Sequence, residues 1–172
     1  MNKKLTAALI AAILFQFLVL TGMYVSAALP LWTGTEVKIK TIPVDPRSMF
    51  RGNYARLRYD ISRLKTEYFP ASDDLRNGEV VYVVLKPGED GLYQFAEAML
   101  KKPDSGIFLR GRIENRRYEE KVSYFRIKYG IEAFFAPKEK ALQLERELRD
   151  GGIAVLMISS GGKARLKDVV GK

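Results

Sequence analysis

The chain has 172 residues, of which 47% are hydrophobic and 28% charged, so we expect one ordinary folded domain beside a membrane anchor. It contains no cysteine and no histidine. This excludes a Ser-His-Asp or Cys-His nucleophile system and a zinc site built from thiolates or imidazoles. The chain also lacks a spaced acidic loop suited to calcium or magnesium, and we expect no metal and no cofactor.

The formal net charge is +9, and two of the positive charges, Lys3 and Lys4, precede the first apolar segment. We interpret the remaining excess as a solvated basic surface near an anionic membrane. Nucleic-acid binding is disfavoured, because no recognised binding module is present and we expect the domain to lie outside the cytoplasm.

Residues 5–32 contain no charged side chain. A helix needs about 20 apolar residues to span a bilayer, whereas the apolar part of a cleaved signal peptide has roughly 7–15. We therefore expect residues 1–32 to be an uncleaved signal-anchor. Its N-terminus would lie inside and residues 33–172 outside, with Trp32 at the interface. The competing interpretation is a signal peptide cleaved after Val25-Ser26-Ala27.

In the first part of the exported domain, the sequence predicts a strand on either side of one unusual loop. Residues 33–35 form a short hinge, and residues 36–42 alternate like a strand. Residues 43–53 then form a loop with two prolines. Residues 54–61 follow as a strand with a polar even-numbered face and an apolar odd-numbered face.

Short strands and turns then recur every 10 to 15 residues or so, which predicts a small barrel or sandwich. Residues 62–77 read as irregular, with a helical turn near Leu64, and Asn77-Gly78 is a turn signal. Residues 115–121 read as a charged connection. The predicted strands are residues 79–85, residues 92–100 with helix ambiguity over 96–100, residues 107–113, and residues 122–135 with a break near Gly130.

The last part of the chain departs from this pattern once. After Pro137, residues 138–149 have helical periodicity and end at Gly151-Gly152, so we expect a helix covering the sheet. Residues 153–158 and 164–170 then predict a terminal hairpin. The expected fold class is mainly β, with one covering helix and an N-terminal transmembrane helix.

The loop and strand at residues 43–61 allow two interpretations. In the structural one, Gly52 supplies a turn or bulge that starts the strand, and Leu57 and Tyr59 are core residues. In the functional one, the loop is a polar interaction surface, since arginine and tyrosine are common anchors at protein interfaces. That surface would consist of Asp45, Arg47, Arg51, Asn53 and Tyr54.

Residues 52–59 read GNYARLRY and resemble the signature of the GDYXXLXY family of membrane-anchored bacterial proteins. The preceding PVDPR at residues 43–47, with Asp45, Pro46 and Arg47, and Phe50-Arg51 look like the family's lead-in. Residues 129–135, YGIEAFF, are similar to a second and weaker block that includes Glu132. The family's aspartate is Asn53 here, which argues against an essential carboxylate at that position and fits a structural turn.

The resemblance implies location and architecture, and a place beside multi-pass membrane proteins, without implying an activity. We therefore expect a non-catalytic accessory protein of the cell envelope that docks on an integral membrane partner through residues 43–59. The candidate binding or motif residues are Asp45, Pro46, Arg47, Arg51, Gly52, Asn53, Tyr54, Leu57, Tyr59 and Glu132. For Glu132 alone, the ordinary expectation is a salt bridge to a nearby basic residue.

Two other functions stay open. Ser48-Met49 followed by Gly52-Asn53-Tyr54 superficially resembles elements of type I signal peptidases, and a serine-lysine dyad needs no histidine. The spacing is too short for that pattern, however, and a choice of Lys65 or Lys86 as the base would be arbitrary. Alternatively, Arg56 and Arg58 could attract an anionic ligand such as a phospholipid headgroup.

Overall fold

The computed structural model describes residues 3–42, 54–70, 72–119, 122–135, 148 and 151–171. One helix, α1, spans Lys3–Thr33. The strands among these residues are β1 Thr35–Ile42, β2 Tyr54–Arg56, β3 Arg58–Tyr59, β4 Arg63–Lys65, β5 Val80–Pro87, β6 Tyr93–Met99, β7 Ile107–Glu119, β8 Val122–Lys128, β9 Ala133–Phe135, β10 Gly152–Ile158 and β11 Ala164–Gly171. The predicted mainly-β class with an N-terminal apolar helix is confirmed.

Helix α1 has the length and composition of a membrane-spanning segment. Its 31 residues extend about 46 Å at the usual helical rise, which exceeds the roughly 30 Å of a bilayer's hydrocarbon core. Within the described ranges it is the one helix that is long and apolar enough to cross a membrane. Nearly all of its large side chains are exposed, as expected of a helix whose solvent is lipid.

Helix α1 passes into β1 through a single residue, Gly34. The Gly34 amide donates a hydrogen bond to the carbonyl of Pro30 at 3.0 Å. A side-chain carbon on Gly34 would overlap that carbonyl and lie 3.0 Å from the backbone of Ile158 in β10. The hinge predicted at residues 33–35 is therefore a packed junction, because Thr33 belongs to α1 and Thr35 to β1.

All of the described strands except β2 and β9 form one large mixed sheet that closes on itself. Its order is β11-β10-β1-β6-β5-β7-β8-β4, and all of these pairs are antiparallel except β1 with β6. One edge of β1 pairs with β10, while its other edge meets β6 at Ile39 and β3 at Thr41. Because a 3₁₀ turn at Asp60–Ser62 joins β3 directly to β4, these pairings complete a circuit from β1 through β8 and back. Of the two predicted alternatives, this topology is the barrel.

The core follows from the alternation of side chains along the strands. Successive strand residues point to opposite faces, so every second side chain enters the barrel. In residues 56–61 the odd-numbered face is buried and the even-numbered face exposed, as predicted. The fully buried large side chains are Tyr59, Phe125, Leu109, Ile113, Ile127, Ile131, Leu156, Val37, Val81 and Val83.

Two predictions near the first motif are corrected. The single strand predicted over residues 54–61 changes partner at Leu57, because β2 pairs with β9 whereas β3 pairs with β1. The helical turn predicted near Leu64 lies beside it: Leu64 itself is a buried residue of β4, and 3₁₀ turns at Asp60–Ser62 and Thr66–Tyr68 flank that strand. Short polar strands separated by tight turns lack the alternation that sequence analysis detects.

A third prediction is corrected in β7. Residues 115–119 of the predicted charged connection continue this strand and pair with β8, after a register shift between Ile113 and Asn115. Arg117 and Tyr118 are exposed to solvent, so this end of β7 can accommodate charged side chains. The break near Gly130 and the terminal hairpin of β10 and β11 are confirmed. The helix predicted over residues 138–149 lies outside the described residues except for Leu148, which is buried.

Candidate functional site

Several of the predicted site residues fall where the structure gives no description. They are Asp45, Pro46, Arg47, Arg51, Gly52 and Asn53, and the predicted polar surface in this loop stays a prediction. Ser48 of the peptidase alternative also lies outside the described residues. The backbone of Tyr54 belongs to β2, and Leu57, Tyr59 and Glu132 are fully described.

The two motif blocks pair with each other. Strand β2 comes from the GNYARLRY block and β9 from the YGIEAFF block, and they form a two-stranded antiparallel sheet that aligns Tyr54 with Phe135 and Arg56 with Ala133. The Leu57 amide extends this contact by donating to the carbonyl of Glu132 at 2.9 Å. Blocks far apart in sequence are thus one structural unit.

Two buried tyrosines stabilise this unit by hydrogen bonds in opposite directions. The Tyr59 hydroxyl donates to the carbonyl of Ile131 at 2.7 Å. The Tyr129 hydroxyl donates to the carbonyl of Ile61 at 2.6 Å. Each tyrosine therefore satisfies a buried carbonyl in the segment that carries the other. Nothing in the sequence pattern predicts these bonds, because they depend on the approach of β3 to the turn after β8.

Gly111 provides the space that Tyr129 occupies. A side-chain carbon on Gly111 would overlap Ile127 and lie 2.9 Å from the Tyr129 ring. The ring therefore packs directly against the backbone of β7. This close approach explains a glycine in the interior of a long strand, a position where glycine is otherwise unfavourable.

Glu132 caps the turn between β8 and β9. Its carboxylate accepts hydrogen bonds from the amides of Tyr129 at 2.6 Å and Gly130 at 3.0 Å. Gly130 has a φ of +83°, a left-handed conformation that favours glycine. We expected a salt bridge for Glu132, whereas its partners in the described part of the chain are these backbone amides. The motif carboxylate thus has a structural role.

The environment of the two tyrosines keeps their hydroxyls protonated. Burial raises the pKa of Tyr59 well above its ordinary value, and the negative charge of Glu132 raises it further. The pKa of Tyr129 is raised for the same two reasons. Both groups therefore remain hydrogen-bond donors at any physiological pH and are poorly suited to proton transfer there.

An open groove of about 440 Å³ lies on the outer side of this unit. We call it the basic groove. Leu57, Tyr59 and Ile127 form part of its wall, and Ile42, 37% exposed, stands at its margin. Within the described part of the chain, its charged lining consists of Arg56, Arg58, Arg63, Arg126 and Lys128, with the carboxylates of Glu114 and Glu132.

Among the described residues that line the basic groove, five are cationic and two are carboxylates. Arg126 and Glu114 approach only to 3.9 Å, and Glu132 is engaged by backbone amides. Arg63 lies over the ring of Tyr124 at 4.2 Å. The sequence pattern indicates Arg56 and Arg58 as exposed cations but does not indicate Arg63, Arg126 and Lys128. Arg63 belongs to β4, whereas Arg126 and Lys128 belong to β8, and the pairing of these two strands brings them together.

The serine-lysine alternative gains no support at Lys65. A dyad lysine needs a lowered pKa, which burial normally supplies. Lys65 is instead partly exposed, and its ammonium group lies 3.0 Å from the carboxylate of Glu67. The hydrogen bond and the charge of Glu67 raise the pKa of Lys65, which is the opposite of what the mechanism requires.

Comparison with known proteins gives a match to a protein family. The family model described as GDYXXLXY protein matches residues 16–169, well over half of the chain. No curated protein and no solved structure matches the chain significantly. The match covers the end of α1, both motif blocks and the strands that close the barrel. The chain belongs to the GDYXXLXY family.

Proposed function

We propose that this chain is a non-catalytic accessory protein of the bacterial cell envelope. Helix α1 acts as an uncleaved signal-anchor in the inner membrane, with Lys3 and Lys4 on the cytoplasmic side and the β domain outside. The domain docks on an integral membrane protein through residues 43–59. The length and uncharged sequence of α1 support the anchor, and the two lysines before it support the orientation.

The docking proposal depends on one observation: one face of the first motif is buried in the barrel, whereas the other face is exposed. Leu57 and Tyr59 are buried and hold the barrel together. Arg56 precedes Leu57, and Arg58 lies between Leu57 and Tyr59. Both arginines are exposed and line the basic groove. No ion pair joins either arginine to another described residue. An arginine without a partner on a rigid strand is available to a second molecule, and arginine is enriched at interface hot spots.

The packed junction at Gly34 adds a second argument. It couples the domain to α1 without a flexible linker, and one further contact reinforces it. Arg165 in β11 donates to the carbonyl of Ala27 in α1 at 3.1 Å. A domain held in a fixed position beside its anchor presents the same face to any neighbour of that anchor. This lowers the entropic cost of docking.

Affinity purification from native membranes in mild detergent tests the proposal. We expect the tagged full chain to recover an integral membrane protein in stoichiometric amount. Arg58→Ala should reduce that recovery. Arg110→Ala removes another exposed strand arginine, one that does not line the groove, and recovery should be unchanged. Recovery of no membrane protein by any form, or equal recovery by all three, would contradict the proposal.

A further inference from the structure

We propose that the end of the β domain beside α1 binds phosphate groups of the extracytoplasmic phospholipid leaflet. The contact residues are Lys163 and Arg165, which lie on either side of the first residue of β11. The occupant is the headgroup layer of the membrane that holds α1. The inference therefore rests on the proposed anchor, and it adds a lipid contact to the proposed docking on a protein. The depth of α1, a contact from β11 back to α1 and the exposure of both cations support it.

The length of α1 places its last turns at the level of the headgroups. Lys4 is the last charged residue before the apolar segment, and Ala27 follows it by 23 residues, about 35 Å of helix. The hydrocarbon core of a bilayer measures about 30 Å, and the bilayer with its headgroups about 40–45 Å. With Lys4 at the cytoplasmic boundary of the core, Ala27 therefore reaches the opposite headgroup layer. Trp32, which is 61% exposed, follows within two turns and suits such an interface.

Arg165 connects the domain to this level of α1. Its Nε atom donates to the carbonyl of Ala27 at 3.1 Å, across 138 residues of sequence. Ala27 precedes Gly34 by seven residues, about 10 Å of helix, so the guanidinium lies on the membrane side of the junction. The side chain remains exposed. Because the bond to Ala27 uses Nε, the two terminal nitrogens of the guanidinium can donate in parallel to two oxygens of a phosphate.

The turn between β10 and β11 brings a second cation to the same end of the domain. Strand β10 ends at Ile158, whose backbone lies against Gly34. The turn that follows is closed by the Ser159 amide, which donates to the carbonyl of Lys163 at 2.9 Å. Lys163 is exposed and lies two residues before Arg165, a separation of about 7 Å in extended chain. At that spacing both cations can reach one headgroup or two adjacent headgroups.

The chemistry of these two side chains matches a phospholipid phosphate, which is the anion present at this depth in every phospholipid. Arginine binds phosphate through paired hydrogen bonds, and lysine binds it as a compact point charge. Basic residues beside a membrane span are attracted to an anionic leaflet within the screening length. Lys167, the next cation along β11, instead pairs with Glu36 of the domain at 2.7 Å. We therefore assign the phosphate contacts to Lys163 and Arg165.

The lipid contact and the proposed protein contact lie at opposite ends of β1. Thr35 adjoins the junction, whereas Ile42 pairs with Arg58 of the first motif. Seven strand steps separate Thr35 from Ile42, about 23 Å of extended chain. That distance is about three times the screening length of roughly 8 Å at physiological salt, so headgroup charge at the junction has little effect on Arg58. The two contacts can therefore be tested separately.

Fluorescence quenching in nanodiscs measures how close the turn lies to the headgroups. The chain contains no cysteine, so Ser160→Cys gives the full-length chain a single labelling point in the exposed turn. Arg117→Cys is the control: it lies nine residues along β7 from Phe108, about 30 Å, and the Phe108 ring lies against Gly162 of the turn. The nanodiscs are phosphatidylglycerol with a small share of lipid that carries a nitroxide on its headgroup. We expect strong quenching at position 160 and little at position 117. Equal quenching at both positions, or none at position 160, would overturn the inference.

The unfolding midpoint of the full-length chain in an uncharged detergent tests phosphate recognition. Short-chain phosphatidylglycerol should raise the midpoint, because a ligand that binds the folded chain stabilises it. Diacylglycerol with the same acyl chains should not. Lys163→Gln and Arg165→Gln should each lose most of the rise, whereas Arg117→Gln should retain it. Lys163→Gln leaves the bond between Arg165 and Ala27 in place, so its loss of the rise separates lost lipid binding from a weakened junction. An unchanged rise in both variants, or an equal rise with diacylglycerol or with inorganic phosphate, would overturn the inference.

The two proposals fail in different ways. If phosphatidylglycerol gives no rise that depends on Lys163 and Arg165 but a membrane protein still co-purifies through Arg58, the accessory function stands and the lipid contact is wrong. If the rise depends on Lys163 and Arg165 but no membrane protein co-purifies, the lipid contact stands as a property of the anchored domain and the accessory function is wrong.

Discussion

Tyr59 and Tyr129 donate hydrogen bonds across one interface in opposite directions, Tyr59 to the carbonyl of Ile131 and Tyr129 to the carbonyl of Ile61. The first tyrosine ends the GNYARLRY block, and the second begins the YGIEAFF block. These two reciprocal hydrogen bonds give both blocks a structural role. They hold the segment at residues 57–61 against the turn that follows β8, which is where the barrel closes.

Removing either hydroxyl should destabilise the domain. Tyr59→Phe or Tyr129→Phe leaves a buried carbonyl without its donor, which costs about 1–3 kcal/mol in the free energy of unfolding. Chemical denaturation of the detergent-solubilised chain measures this change. Tyr118→Phe removes the hydroxyl of a tyrosine that is 71% exposed and should have little effect.

The two tyrosines should also be energetically coupled, because they stabilise the same interface. The double variant should therefore differ from the sum of the two single variants by at least about 0.5 kcal/mol. Additivity, or single variants as stable as Tyr118→Phe, would show that the reciprocal bonds do not hold the two motif blocks together.

The raised pKa values of Tyr59 and Tyr129 predict a loss of stability at alkaline pH. In the unfolded chain a tyrosine ionises near pH 10, whereas in the folded chain both remain protonated at that pH. Their contribution is complete below about pH 10 and is lost as pH rises above it. The decline is about 1.4 kcal/mol per pH unit for each tyrosine.

Unfolding measurements between neutral pH and pH 11 would show this decline. The Tyr59→Phe variant should lose about half of it, since one of the two buried hydroxyls is gone. An identical alkaline slope in the wild type and in the Tyr59→Phe and Tyr129→Phe variants would contradict the assignment of the effect to these residues.

Glu132 should matter for stability through its two backbone amides. Glu132→Ala leaves the amides of Tyr129 and Gly130 without their acceptor and should lower the free energy of unfolding by about 1–3 kcal/mol. Glu132→Gln retains one acceptor oxygen and should cost less. Glu97→Ala, at an exposed position of β6, serves as the control. If Glu132→Gln were as harmful as Glu132→Ala, charge rather than capping would be responsible.

Much of the fold could be predicted because most strands show clear alternation. β1, β5 and β10 bury every second residue, and Asn77-Gly78 marks a tight turn where Gly78 has a φ of +88°. The closure of the barrel could not be predicted. It depends on β3 and β4, which are three residues or fewer, and on a 3₁₀ turn that interrupts their alternation.

The candidate site could be predicted only in part, again because local alternation does not encode strand pairing. The face of residues 56–59 follows from local alternation, so Arg56 and Arg58 were identifiable as exposed and Leu57 as buried. Arg126 and Lys128 belong to a strand far away in sequence. Their approach to Arg63 is set by strand register, which no local pattern encodes.

The junction between α1 and β1 should tolerate only glycine at position 34. Gly34→Ala places a methyl group against the carbonyl of Pro30 and the backbone of Ile158, and overpacking of this kind costs about 1–3 kcal/mol. Limited proteolysis should cut the variant more readily at the end of α1. Gly22→Ala is the matched control, because nothing lies within 4 Å of a side-chain carbon there. Equal resistance of both variants would indicate a loose junction.

Photo-cross-linking in native membranes tests the central claim most directly. A photoreactive amino acid replaces Arg58 in one version of the full-length chain and Arg110 in another. The account predicts a discrete cross-link to one integral membrane protein from position 58 and none from position 110, with mass spectrometry identifying the adduct. Cross-links to lipid alone from position 58, or the same protein adduct from both positions, would contradict docking through the first motif and its groove.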